Sequence, residues 1–145
     1  SGGVQQNVVP NEFVIGYDIR ITPTTNVKEF EAMLGEWCDE AGGGVELDIC
    51  PKFTDQTMTP ISNDYPWFKA LKAATDKHNL KTSTEIFSAG TDSRFIREVG
   101  IPAYGFSPMP HTPVLMHDHN EYLNEKTFLK GIDIFCDIIS EVANV

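Results

Sequence analysis

The chain has 145 residues, 41% hydrophobic and 22% charged, the balance of one ordinary globular domain rather than a disordered or fibrous segment. Eleven basic against twenty-one acidic side chains leave a net charge of −10, so a polyanion would approach against the field, which argues against nucleic acid as a partner. No apolar run nears the ~20 residues that cross a bilayer, and the N-terminal stretch lacks the basic-then-apolar order of a targeting peptide.

Cys38, Cys50 and Cys136 are odd in number and contain no CxxC pair, which fits neither a disulfide framework nor a zinc knuckle. They point to a reducing, cytoplasmic setting. The chain opens at Ser1 and soon enters strand-like sequence, as a segment of something longer would.

In chain order, Phe13, Ile15, Tyr17, Ile19 and Ile21 alternate with Asp18, Arg20 and Thr22. This predicts a half-buried strand that presents an acid and a base together. Asn26 followed three residues on by Glu29 is an N-cap signal. Val27, Phe30, Leu34, Trp37, Cys38 and Ala41 then form one helical stripe, closed by Gly42, Gly43 and Gly44. Val45, Leu47 and Ile49 alternate with Glu46 and Asp48 as a second strand ending at Pro51. Strand, helix and strand together read as part of a small α+β layer.

Residues 54–65 carry Pro60, Ser62, Asn63 and Asp64 without periodicity, so the domain boundary is placed there. A helix is predicted from Pro66 through Trp67, Leu71 and Ala74 to about Asn79. Beyond it come a β-prone stretch over 82–87, a short helix over 95–99 ending at Gly100, and a short strand over 104–106. The last element is a helix over 124–143 with the stripe Phe128, Ile132, Phe135, Ile139 and Val142. Alternating helices and strands in this second part read as an α/β unit.

Three places hold candidate chemistry. In the loop MHDHNE, His117, Asp118, His119 and Glu121 are all possible zinc ligands, although a bare HxH also fits a solvated polar loop. In AGTDSRF, the Gly90–Thr91 turn runs into Asp92 and Arg94 before a helix, a setting for a carboxylate or phosphate. The plainer reading is Asp92 as an ordinary cap with Arg94 on the surface. Third, Asn7 precedes Val8, Val9 and Pro10, with Arg20 on the following strand. No nucleophile with an adjacent base, no GxSxG and no phosphate-binding glycine motif occurs.

Taken in order, GGVQQNVVPNEFVIGYDIRITP, SAGTDSRFIREVGIPAYGFSPM and TPVLMHDHNEYLNEKTFLKGIDIF resemble the C-terminal part of the cytosolic zinc-dependent aminoacylases. These are N-acyl-L-amino-acid amidohydrolases of a wider metallopeptidase family that includes carboxypeptidase G and succinyl-diaminopimelate desuccinylase. The similarity runs along nearly the whole chain, through the DYPWFKA helix as well.

The resemblance implies an α/β, zinc-dependent exopeptidase-like catalytic domain interrupted by an α+β lid or dimerisation domain. Residues 1–53 would be the end of that lid and residues 54–145 the closing segment of the zinc domain. It implies His117 as a zinc ligand with His119 a decoy, and Asn7 and Arg20 as contacts to the substrate carboxylate. Gly90, Thr91 and Arg94 would belong to a second substrate loop. The general base and the other zinc ligands would lie upstream of Ser1, so no catalytic residue is expected within the chain. The partners implied are an N-acyl amino acid substrate, the N-terminal half of the same enzyme and a second copy in a homodimer, and the role implied is in amino-acid metabolism. The same residue types would also serve a dipeptidase or carboxypeptidase of the family, or a non-catalytic dimerisation or binding fragment.

Overall fold

The computed structural model describes residues 2–50 and 53–145. It divides into two units, one of Ser1–Lys52 with Ser88–Gly90 and the other of Phe53–Phe87 with Thr91–Val145.

In the first unit the one helix among the described residues is α1, Val27–Glu40. Asn26 starts it as predicted. Its side-chain oxygen accepts from the Lys28 and Glu29 backbone amides, so these otherwise orphaned first-turn donors are satisfied, and its side-chain Nδ2 donates to Glu29 Oε1 at 2.8 Å. The helix stops because Gly42, Gly43 and Gly44 take φ of 98°, 86° and 75°, a left-handed run that a side chain with Cβ would strain. Val27, Phe30, Leu34 and Cys38 are half-buried, but Trp37 on the same stripe is 56% exposed.

The predicted strands are where sequence and structure part. No named strand forms among the described residues, and the pairing present there is one isolated antiparallel bridge between Gly2 and Phe13. Residues 13–21 are exposed rather than half-buried, with Tyr17 at 81%, and neither 45–49 nor 82–87 nor 104–106 is a strand. Alternation states which face a strand would cover, but it does not supply the neighbouring strand that completes the ladder. Pro51, read as a strand end, lies outside the described residues.

The second unit holds α2 (Pro66–Lys77), α3 (Ser93–Glu98) and α4 (Glu125–Ala143). Pro66 opens α2 where its missing N–H costs nothing. Both α2 and α3 end in the same six-residue closure. Leu80 N–H donates to Thr75 O and Asn79 N–H to Asp76 O after α2, while Ile101 N–H donates to Ile96 O and Gly100 N–H to Arg97 O after α3. Asn79 and Gly100 supply the left-handed residue, at φ of 54° and 82°. Asn124 caps α4 by accepting from Lys126 N–H at 2.9 Å.

The core forms where α2 packs on α4. Ala74, Ile134 and Ile138 are buried, and Leu71, Leu80, Phe106 and Val142 pack around them. The α2 closure therefore does more than end a helix, because it turns Leu80 into this cluster. On α4 the buried face is Gly131, Ile134 and Ile138; of the predicted stripe Val142 packs on the core cluster, and Phe135 meets the ring of Phe106 edge-on at 6.0 Å. Phe128, Ile132, Phe135 and Ile139 stay 54%, 46%, 39% and 64% exposed. α4 carries apolar side chains on more than one face, and the face chosen is the one with the small residue. Gly131 lets Pro108 come so close that a Cβ there would meet Pro108 Cγ at 3.3 Å.

Polar contacts rim the same packing. Lys77 pairs with Glu141, and His78 Nε2 lies 2.7 Å from Asp137 Oδ2 while Lys130 Nζ lies 3.2 Å from His78 Nδ1. With Lys130 donating to Nδ1, the imidazole carries its hydrogen on Nε2 and donates it to Asp137. Among the described residues no helix is long and apolar enough to cross a membrane.

Candidate substrate and metal-ligand residues

Asn7 sits in a turn in which Val8 N–H donates to Gln5 O at 3.4 Å, within the loop that the Gly2 and Phe13 bridge closes. Its side chain is exposed. Arg20 is also exposed, but its fork is occupied. Nε lies 2.7 Å from Asp18 Oδ1, and Nη2 donates to Oδ2 at 2.8 Å. A bidentate guanidinium–carboxylate pair of this shape is what a substrate carboxylate would form, so Asp18 stands where a ligand would compete. Gly90 is exposed and belongs with these residues to the first unit.

Thr91, Arg94 and His117 belong to the second unit. Arg94 N–H donates to Thr91 O at 3.2 Å, and the hydroxyls of Thr91 and Ser93 are hydrogen-bonded to each other. Asp92 stands at the cap position of α3 but makes no side-chain capping bond, so the ordinary cap expected of it is not made. Nor is Arg94 a solvated surface residue. Its guanidinium lies over Phe53, 4.0 Å from the ring centroid, and over Phe95 at 4.9 Å, with Nε sealed from solvent.

His117 is exposed in a turn closed by Asp118 N–H donating to Leu115 O at 2.9 Å, and it takes a φ of 62° itself. A left-handed third residue is the mark of a type II turn, a place that normally favours glycine or asparagine. Asp118 Oδ1 accepts from His119 N–H at 2.6 Å and so ties the loop to itself. The dense group of donors in MHDHNE does not become a metal centre. Among the described residues no three of His, Cys, Asp and Glu are placed to hold an ion. One imidazole is a normal zinc ligand, but about three protein ligands make a catalytic site.

Motif reading missed the aromatic walls around Arg94 and the clasp beside them. Thr59 Oγ1 donates to Ala103 O and accepts from Ala103 N–H, both at 2.9 Å, Arg97 Nη1 donates to Ala103 O at 3.2 Å, and Tyr104 Oη donates to Pro60 O. Residues 57–60 and 100–102 with Arg97 thereby line a cleft of about 200 Å³. Nothing in the linear order of Phe53 or Thr59 signals these contacts.

Burial pushes the Tyr104 phenol above the ordinary tyrosine value, and Tyr65 adds to the shift. A group raised in the folded state stabilises it at pH below the unfolded value of 10.0, and that contribution is lost as pH rises through the folded value. Stability to urea is therefore expected to fall at strongly alkaline pH, with a smaller alkaline loss in Tyr104→Phe. Tyrosinate absorbance followed against pH is the companion measurement, and a Tyr104→Phe chain with the same alkaline profile would refute it.

The sequence profile described as peptidase family M20/M25/M40 matches residues 5–141. An aminoacylase-1 of Mus musculus is 50% identical over 144 residues, and one of Homo sapiens 43% over 144, each match covering 99% of this chain. One of Dictyostelium discoideum is 44% identical over 145 residues. The chain spans 35% of the length of each of these relatives.

Proposed function

Because the chain belongs to peptidase family M20/M25/M40, we propose that it supplies substrate-binding residues and one metal ligand to an enzyme that hydrolyses N-acyl-L-amino acids to a carboxylate and a free L-amino acid. The observation that carries this reading is similarity to aminoacylase-1 over essentially the whole chain in organisms as distant as mouse and Dictyostelium. The enzyme is zinc-dependent, cytoplasmic, homodimeric and active in amino-acid metabolism. Residues 1–53 end its lid or dimerisation domain, and residues 54–145 close its α/β zinc domain, the strand-like segments pairing with chain from the N-terminal half. The grouping of the residues up to Lys52 into one unit, which takes only Ser88–Gly90 from later in the chain, supports that division.

Within this reading His117 is a zinc ligand, completed by residues outside the chain. A zinc ion held by His117 and those residues would supply Lewis-acid polarisation of the scissile carbonyl and activation of a water at neutral pH. The general base likewise lies outside the chain. What the chain's own residues do is hold substrate. Asn7 and Arg20 take the amino acid's carboxylate, and Gly90, Thr91 and Arg94 form a second contact loop. Arg20 must exchange Asp18 for the substrate, so Asp18 sets part of the affinity and limits how tightly a carboxylate is held before reaction.

The test is a chimera in which this chain replaces the matching segment of the mouse relative. It is expected to release free amino acid from N-acetyl-L-methionine. A folded chimera that cleaves only unblocked dipeptides would assign the dipeptidase activity instead, and a folded chimera inactive on both would leave a binding fragment. In the isolated chain zinc should bind only weakly, since His117 lacks enough companions. Stoichiometric retention at nanomolar free zinc in equilibrium dialysis would refute that expectation.

A further inference from the structure

We infer that Phe53 is a positioning residue that holds Arg94 ready for a carboxylate, an inference that rests on the reading of Arg94 as a substrate contact. The three arginines are held in different ways. Arg20 commits Nε and Nη2 to Asp18, and Arg97 commits Nη1 to Ser93 Oγ and Ala103 O. Arg94 has no hydrogen-bonded or ionic partner for its guanidinium among the described residues, and its Nε is buried without an acceptor. Packing fixes it instead. The guanidinium carbon is 4.0 Å from the Phe53 centroid and 4.9 Å from that of Phe95, and the two rings meet edge-on at 6.1 Å and 70°.

A guanidinium gripped through ring faces keeps its outer N–H donors uncommitted, and its planar fork matches a carboxylate. Phe53 and Phe95 remain 51% and 45% exposed, so the clamp sits at the surface where a ligand can reach it. Phe95 follows Arg94 directly and arrives with α3. Phe53 comes from a distant part of the chain, and only the folded unit sets it against the guanidinium. Without that ring the ligand itself would have to order a long side chain, which weakens affinity by about three- to tenfold.

Side-chain ¹⁵N NMR of the metal-free mouse chimera tests this, with sodium N-acetylglycinate as the probe and sodium chloride at equal ionic strength as control. The Arg94 Nε–H signal is expected upfield of ordinary arginine signals through ring currents, returning toward them in Phe53→Leu and staying upfield in Phe53→Tyr, which retains the ring. The probe should move the signal in the parent chimera and in Phe53→Tyr, with about three- to tenfold weaker apparent affinity in Phe53→Leu. An ordinary Arg94 shift, or one unchanged by Phe53→Leu in an otherwise native spectrum, overturns the positioning role. A signal that depends on Phe53 yet ignores the probe overturns instead the reading of Arg94 as a substrate contact, and with it the ligand inferred here.

Discussion

His117→Ala in the mouse chimera is expected to lose bound metal and nearly all turnover, whereas Arg20→Ala should chiefly raise KM. The two residues act on different terms. In the proposed reading His117 would be the chain's sole contribution to a centre that needs about three protein ligands, so its removal would leave the metal short at every stage of the reaction. In the same reading Arg20 would make a charge-assisted contact of roughly 1.5–3 kcal/mol with a part of the substrate that does not react, and such contacts lower KM more than they raise kcat. Asp18 reduces the net figure, because Arg20 already has a bidentate partner before substrate arrives. Asp18→Asn should therefore lower KM, provided the fold is kept. Metal content by atomic emission and kcat and KM for N-acetyl-L-methionine separate the cases. Small and equal effects of His117→Ala and Arg20→Ala on both quantities would remove the roles given to each.

The helices were legible because their signals are local. Asn26, Pro66, Gly100 and Asn124 each act within a turn of the chain they punctuate, and each stands at a helix end in the structure. Strands depend on partners far along the chain or beyond it, so the alternation at 13–21 stated a face without a neighbour to cover it. Site residues divide in the same way. The spacing of Thr91 and Arg94 at the start of α3 was visible in a motif, but the rings that grip Arg94 come together only in the folded unit. His117 could be singled out as an imidazole in a loop, yet neither its left-handed backbone nor the Asp118 tie to His119 follows from the order HDH.

Ile134→Ala is expected to remove most of the cooperative unfolding transition of the second unit, while Ile139→Ala, five residues on and on another face of α4, should leave it nearly unchanged. Ile134 is 1% exposed and sits with Ala74 and Ile138 at the centre of the α2 and α4 contact, whereas Ile139 is 64% exposed. Truncating a buried isoleucine costs about 2–5 kcal/mol in lost transfer energy and residual cavity, a large part of the 5–15 kcal/mol that a whole domain has available. Truncation at an exposed site changes stability by about 0.5 kcal/mol or less. The apolar stripe read from periodicity would assign the larger loss to Ile139, so the pair also tests which face of α4 carries the fold. Urea unfolding followed by circular dichroism at two protein concentrations decides it. If Ile139→Ala proves the costlier change, and more so at the higher concentration, the face that includes Phe128, Ile132 and Phe135 is covered by a second copy in solution and contributes more than the α2 contact.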